Sequence, residues 1–132
     1  MAEGSKRILC VEDDNDSREM MKVMLEQADP TLSVTTVGTA AEAIELSMRN
    51  HFDLYVLDIW LPGMDGLSLC RRLRERGIES PIIFFTAMVR TEDKDFALKA
   101  GANAFLVKPK DVEKFTDTVQ KLLNGSASAQ NV

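Results

Sequence analysis

The sequence has little cysteine, one histidine, one tryptophan and one tyrosine, and no long apolar run. Cys10 and Cys70 are too few and too isolated for a disulfide framework or a CxxC metal site, and their apolar neighbours mark them as small buried thiols. No apolar stretch approaches the ~20 residues that cross a bilayer. The opening MAEGSKR has no apolar core behind its charges, so no signal peptide is legible and the expected compartment is the cytoplasm. The single histidine, His51 in RNHFD, lacks the companions that a metal or phosphotransfer histidine needs and is expected to face solvent. Neither GxxxxGK[ST] nor GxGxxG occurs, so no nucleotide phosphate is cradled here. Cations are also short: 16 Lys and Arg against 21 Asp and Glu leave a net charge of −5, which argues against a general nucleic-acid or anionic-membrane surface.

What is present fits one domain. A chain of 132 residues, 45% hydrophobic and 28% charged, can bury a single core. Apolar residues stand in uninterrupted runs at 8–11, 54–57, 82–85 and 104–107, with a more polar fifth run at 33–37 suited to a sheet edge. Runs that do not alternate are the mark of parallel strands covered on both faces. Helical spacing fills the intervals: Met21, Met24, Leu25 and Ala28; Ala40, Ala43, Ile44 and Met48; Leu69, Cys70 and Leu73, stopped by Gly77; Val112, Phe115, Val119 and Leu122. Thr39 and Glu42 form a capping box for the second of these. Thr91 to Ala100 is the weakest helix, with only Phe96, Ala97 and Ala100 marking a face. Strand then helix five times over predicts a parallel α/β sheet with right-handed crossovers. The domain is expected over 7–124, with 1–6 and 125–132 as flexible tails.

In such a sheet, ligands sit beyond the C-terminal strand ends. Those ends are Glu12-Asp13-Asp14, Asp58, Thr86 and Lys108. Taken singly, an acid there is more often a turn former or helix cap, and one of Asp14, Asn15, Asp16 and Ser17 must cap the first helix. Taken together, Glu12, Asp13 and Asp58 crowd negative charge that needs a proton or a cation, and carboxylate oxygens with room for water suit Mg²⁺. Three acids, a hydroxyl and a lysine point to phosphoryl chemistry, with an aspartate as nucleophile, Lys108 spreading charge and Thr86 donating a hydrogen bond.

The motifs "VEDD", "LDIWLPGMDG", "FFTA" and "KP" after "AGANAFLV", in register at strand ends from about Arg7 to Leu123, resemble the receiver domains of two-component response regulators, single-domain chemotaxis regulators among them. The resemblance implies a flavodoxin-like, doubly wound five-stranded sheet of order 2-1-3-4-5 with five helices. It makes Asp58 the phosphoacceptor, Asp13 a direct Mg²⁺ ligand, Glu12 a metal contact through water, and the main-chain carbonyl of Trp60 a further contact. Thr86 and Phe105 become the switch pair, Lys108 the phosphate-binding cation, and Lys108-Pro109 a cis peptide. The donor implied is a phosphohistidine on a sensor kinase or phosphotransfer protein. The output implied is a downstream protein bound at the surface of the fourth helix, fifth strand and fifth helix, without direct DNA or membrane binding and with a homodimer possible. Such a protein is not a conventional enzyme, though it catalyses its own phosphorylation and dephosphorylation.

Three residues depart from the commoner pattern. Phe105 replaces a Tyr frequent in the family, while Trp60 and Met88 stand two positions after Asp58 and Thr86, where the resemblance implies that side chains flank the path of attacking water, so they are expected to slow dephosphorylation. Trp60 as a partner-contact aromatic is an equal alternative. Arg71, Arg72, Arg74 and Arg76 are expected on a solvated helix face. Among other functions, a haloacid-dehalogenase-like phosphatase wants an acid where Trp60 stands, and an unphosphorylated interaction module typically loses an acid, the Thr or the Lys, all of which are present here. A flavin carrier needs a hydroxyl-rich loop where the chain has carboxylates.

Overall fold

The computed structural model describes residues 5–87 and 89–125. Met88 and most of the two expected tails lie outside the described residues. Elements run β1 (Arg7–Val11), α1 (Asn15–Ala28), β2 (Ser33–Val37), α2 (Ala40–Arg49), β3 (Leu54–Leu57), α3 (Gly66–Glu75), β4 (Ile82–Thr86), α4 (Asp93–Ala100), β5 (Ala104–Val107), a 3₁₀ turn (Val112–Lys114) and α5 (Phe115–Leu123). All strand pairings are parallel, in the order β2-β1-β3-β4-β5, as the resemblance implies.

The unbroken apolar runs are explained by two cores, one on each sheet face. Successive strand side chains point to opposite faces. Leu9, Val11, Tyr55, Leu57, Ile82 and Phe84 therefore pack with α2, α3 and α4. Their neighbours Ile8, Cys10, Leu54, Val56, Ile83 and Phe85 pack with α1 and α5. Phe85 stacks on Phe115 at 4.6 Å between centroids, which fixes α5 against β4, an interior strand of the sheet. β2 lies at the edge with a half-buried, more polar pattern.

The caps are local and legible. Asp14 accepts a hydrogen bond from the Ser17 amide at 2.8 Å and starts α1. Thr39 Oγ1 accepts from the Glu42 amide, and Glu42 reaches back to the Gly38 amide and the Thr39 hydroxyl. Cys10 and Cys70 are fully buried, and burial pushes their thiols up to about 12 and about 11 respectively.

Several apolar positions fall elsewhere than their spacing predicts. Met48 is 63% exposed because α2 ends one residue later, beyond the reach of the core. Ala28 is exposed at the end of α1. Phe96 is 45% exposed, and α4 instead buries Ala97, Ala100 and the carboxylate of Asp93. Val112 sits in the 3₁₀ turn, not in α5. Arg74 is not on a solvated face: its guanidinium donates to the carbonyls of Gly101, Ile78 and Ser80 and to Asn103 Oδ1, tying α3 to the segment before β4 and to the turn before β5.

Candidate functional site

The chain leaves β1 for β2 on one side and returns to β3 on the other, so the loops after β1 and β3 part at the sheet's switch point. Backbone pairing continues one residue past the strands and fixes the acids that follow. The Glu12 amide donates to Val37 O at 3.0 Å and the Asp58 amide to Val11 O at 3.1 Å. Arg18, in the first turn of α1, donates to Glu12 O at 2.7 Å from the far side.

Carboxylate oxygens of Glu12, Asp13 and Asp58 lie within 4.8 Å of one another. Glu12 and Asp58 are buried, and Asp13 is exposed. Lys108 Nζ, at the end of β5, stands 2.7 Å from Glu12 Oε1, and the Asp14 amide donates to Glu12 Oε2 at 3.1 Å. Desolvation raises the Glu12 carboxyl above its ordinary value, and the charge of Asp58 pushes the same way; Lys108 and the Asp14 amide oppose them. The lysine is thus committed to Glu12, and one cation faces three acids.

Thr86 Oγ1, wholly buried at the end of β4, lies 2.6 Å from Asp58 Oδ1 and 3.2 Å from its own neighbour's carbonyl, Ala87 O. A hydroxyl has one proton, and the shorter approach to a carboxylate is the stronger bond, so it belongs to Asp58. The Trp60 amide points to the same Oδ1 at 3.4 Å. Gly66 closes the loop after Asp58: its amide donates to Ile59 O, and a Cβ there would sit 2.0 Å from the Asp58 carbonyl oxygen. Only glycine allows α3 to begin so close beneath the carboxylate.

A family model described as the response regulator receiver domain matches residues 8–120. The chain belongs to this family. A 14.6 kDa protein of Leptolyngbya boryana is 40% identical over 116 residues, 86% of this chain and 87% of that one. The transcriptional regulatory protein DltR of Streptococcus agalactiae is 38% identical over 108 residues, 82% of this chain but 47% of DltR, so the chain spans less than half of that relative. Among solved structures, the receiver domain of the Francisella response regulator 1452 superposes with a TM-score of 0.84 at 29% identity, covering 92% and 98% of the two chains. Response regulator TrrA of Thermotoga maritima, solved in complex with Mg²⁺ and a beryllium fluoride, gives 0.78 at 29% identity, covering 89% and 98%.

In this receiver the structure brings Glu12, Asp13, Asp58, Thr86 and Lys108 to one sheet edge, and Lys108-Pro109 is cis. Phe105 is half-buried beside Phe84, with 6.3 Å between ring centroids. It borders a cleft of about 410 Å³ lined by Val89, Lys94, Val107 and Lys110 among others. His51 is exposed and, among the described residues, pairs with Asp53 at 3.2 Å. Sequence reasoning missed Arg18, Arg74, the buried Asp93 and the contact of Arg90 with Trp60. Arg18 carried a signal, since it follows the Asp14 cap by one helical turn and so faces the loop it supports. Arg74 with Gly101 and Asn103, and Arg90 with Trp60, act across long sequence separations that no local pattern reveals, while Asp93 pairs with Arg90 only three residues away but is masked by the weak stripe of its helix. Among the described residues no helix is long and apolar enough to cross a membrane.

Proposed function

We propose that Asp58 accepts a phosphoryl group from a phosphohistidine on a sensor kinase or phosphotransfer protein in a Mg²⁺-dependent reaction. The observation that carries this is the convergence of the Glu12, Asp13 and Asp58 oxygens within 4.8 Å, with the Thr86 hydroxyl already on Asp58. The donor set suits a hard cation: all ligands are oxygen, Asp13 is open to water, and three acids share one lysine. Asp13, Asp58, the Trp60 carbonyl and, through water, Glu12 would hold the ion. When bound it supplies charge to offset that gathering on the transferring group.

The protein's own groups supply the rest. An Asp58 oxygen attacks phosphorus, the bond from phosphorus to the donor imidazole nitrogen breaks, and the imidazole leaves with that electron pair. Lys108 exchanges its Glu12 contact for a phosphoryl oxygen, and Thr86 redirects its hydroxyl hydrogen bond from the Asp58 carboxylate to another phosphoryl oxygen. That displacement opens space at the end of β4 into which Phe105 turns, altering the α4-β5-α5 surface and its cleft for a downstream partner. The domain over 7–124 works as a switch that catalyses its own loading and unloading, with Trp60 and Met88 slowing the latter.

Incubation with acetyl phosphate and Mg²⁺ should add one phosphoryl group to the wild type by intact-mass measurement and none to Asp58→Asn. An adduct that persists in Asp58→Asn, or that forms equally in EDTA, would overturn this assignment.

A further inference from the structure

We propose that Arg90 and Trp60 form a cover over the outer side of the Asp58–Thr86 pair. In it Arg90 is the positioning residue that holds the indole in place and so sets how fast water reaches an aspartyl phosphate. The proposal rests on the reading of Asp58 as phosphoacceptor. Asp58 follows β3 and Thr86 ends β4, and their 2.6 Å hydrogen bond is an inner rung between the two loops that leave those strands. Farther out on the same loops, the Arg90 guanidinium carbon stands 5.3 Å from the Trp60 ring centroid and makes an outer rung.

Both ends of that rung are anchored. Trp60 lies between buried Ile59 and Leu61, and its amide faces Asp58 Oδ1 at 3.4 Å. The Arg90 amide donates to Asp93 Oδ2 at 2.7 Å, and its guanidinium stands 3.3 Å from Asp93 Oδ1. Asp93 is completely buried and its Oδ1 receives no hydrogen bond, so the nearby guanidinium charge is what compensates that oxygen. Arg90 is therefore held between a buried anion and an indole face. The indole remains 45% exposed, as expected of a plate covered on one face.

Hydrolysis needs a water in line with the bond between phosphorus and the Asp58 oxygen. The water oxygen bonds to phosphorus, the phosphorus–oxygen bond breaks with its electron pair returning to the carboxylate, and both water protons leave with the inorganic phosphate, which passes one on to solvent. An indole anchored beside that line hinders the approach of water without touching the reacting atoms. Arg90 acts only through the indole.

Trp60 is the single tryptophan, so fluorescence excited at the red edge, where the one tyrosine does not absorb, reports on it alone. In the metal-free protein, Arg90→Ala should raise the acrylamide quenching constant about twofold. Arg90→Lys keeps a charge for Asp93, and with it the fold, but lacks the planar group that stacks, and should raise it as well. After acetyl phosphate is removed, the phosphoryl adduct of Arg90→Ala should decay about threefold faster than that of the wild type. Trp60→Ala should decay faster too, and the double variant no faster than the quicker single one, because both remove the same cover. Unchanged quenching in both Arg90 variants, or rate effects of Arg90→Ala and Trp60→Ala that multiply, would overturn the cover. Failure of the wild type to form any adduct would overturn the reading of Asp58 and the cover with it. An adduct of unchanged lifetime in both Arg90 variants would overturn the cover alone.

Discussion

Neighbouring carboxylates in the loop after β1 do opposite work. Glu12 is buried and raised, so its contribution to stability of the metal-free fold is fully present below its ordinary 4.5 and is lost as pH rises through the higher folded value. Asp14 is lowered, first by the Ser17 amide and then by the Ser17 hydroxyl, with Lys108 and Arg18 adding smaller pulls. Its contribution is present above the ordinary 3.8 and is lost as pH falls through the lower folded value. Asp14→Ala should therefore melt below the wild type at neutral pH, and the gap should close as pH drops below 3.8. Melting curves that keep a constant gap down to pH 2 would show that the cap charge is not what stabilises α1. The run of acids was visible in the sequence, and so was the need for one of them to cap. Which of four residues capped was not, because Asp14, Asn15, Asp16 and Ser17 all offer an oxygen and the choice depends on where β1 stops pairing.

At the scale of elements, α4 was the least legible helix, and the reason is physical: it buries only Ala97, Ala100 and the small, charged Asp93, so its sequence has no strong stripe. Its two ends are held very differently. Glu92 at the N-terminus makes no side-chain cap, and the local hold is Asp93 with Arg90. The C-terminus ends on Gly101 at φ 114°, a left-handed conformation, with the Arg74 side chain packed where a Cβ would go. Arg74 Nε and one of its terminal nitrogens both donate to Gly101 O, and its other contacts fix Ile78, Ser80 and Asn103. The Gly101 stop could be read from sequence; the arginine that locks it could not, since it lies on another helix. Arg74→Met keeps the aliphatic stem but leaves several half-buried acceptors without a donor, and should lower unfolding stability by about 3 kcal/mol. Urea denaturation at neutral pH measures this, and a loss below about 1 kcal/mol would mean that water replaces the guanidinium.

For the molecule as a whole, the parallel α/β class was legible because uninterrupted apolar runs must be buried on both sides. The division into two cores then follows from alternation along each strand. The strand order was not in the residues themselves: nothing in 33–37 says which side of β1 it joins, and the order 2-1-3-4-5 came from the resemblance. The same order is what makes the site, since it places β1, β3, β4 and β5 side by side with Glu12, Asp58, Thr86 and Lys108 at one edge. It also makes the response to a ligand there one-sided. Thr86 leads through the following loop to the start of α4, whose N-cap residue makes no side-chain hydrogen bond, and Phe105 lies half-buried on β5 next to Phe84. The opposite face is locked by the Phe85–Phe115 stack and by the buried Met21 and Leu25 of α1. Mg²⁺ with beryllofluoride, added as a mimic of the phosphorylated site, should therefore shift amide NMR signals of 91–100 and 104–107 well beyond those of 18–28 in α1. Shifts confined to the residues beside Glu12, Asp58 and Thr86 would show a site that binds without switching, because the packed end of α4 would then have held the whole helix in place.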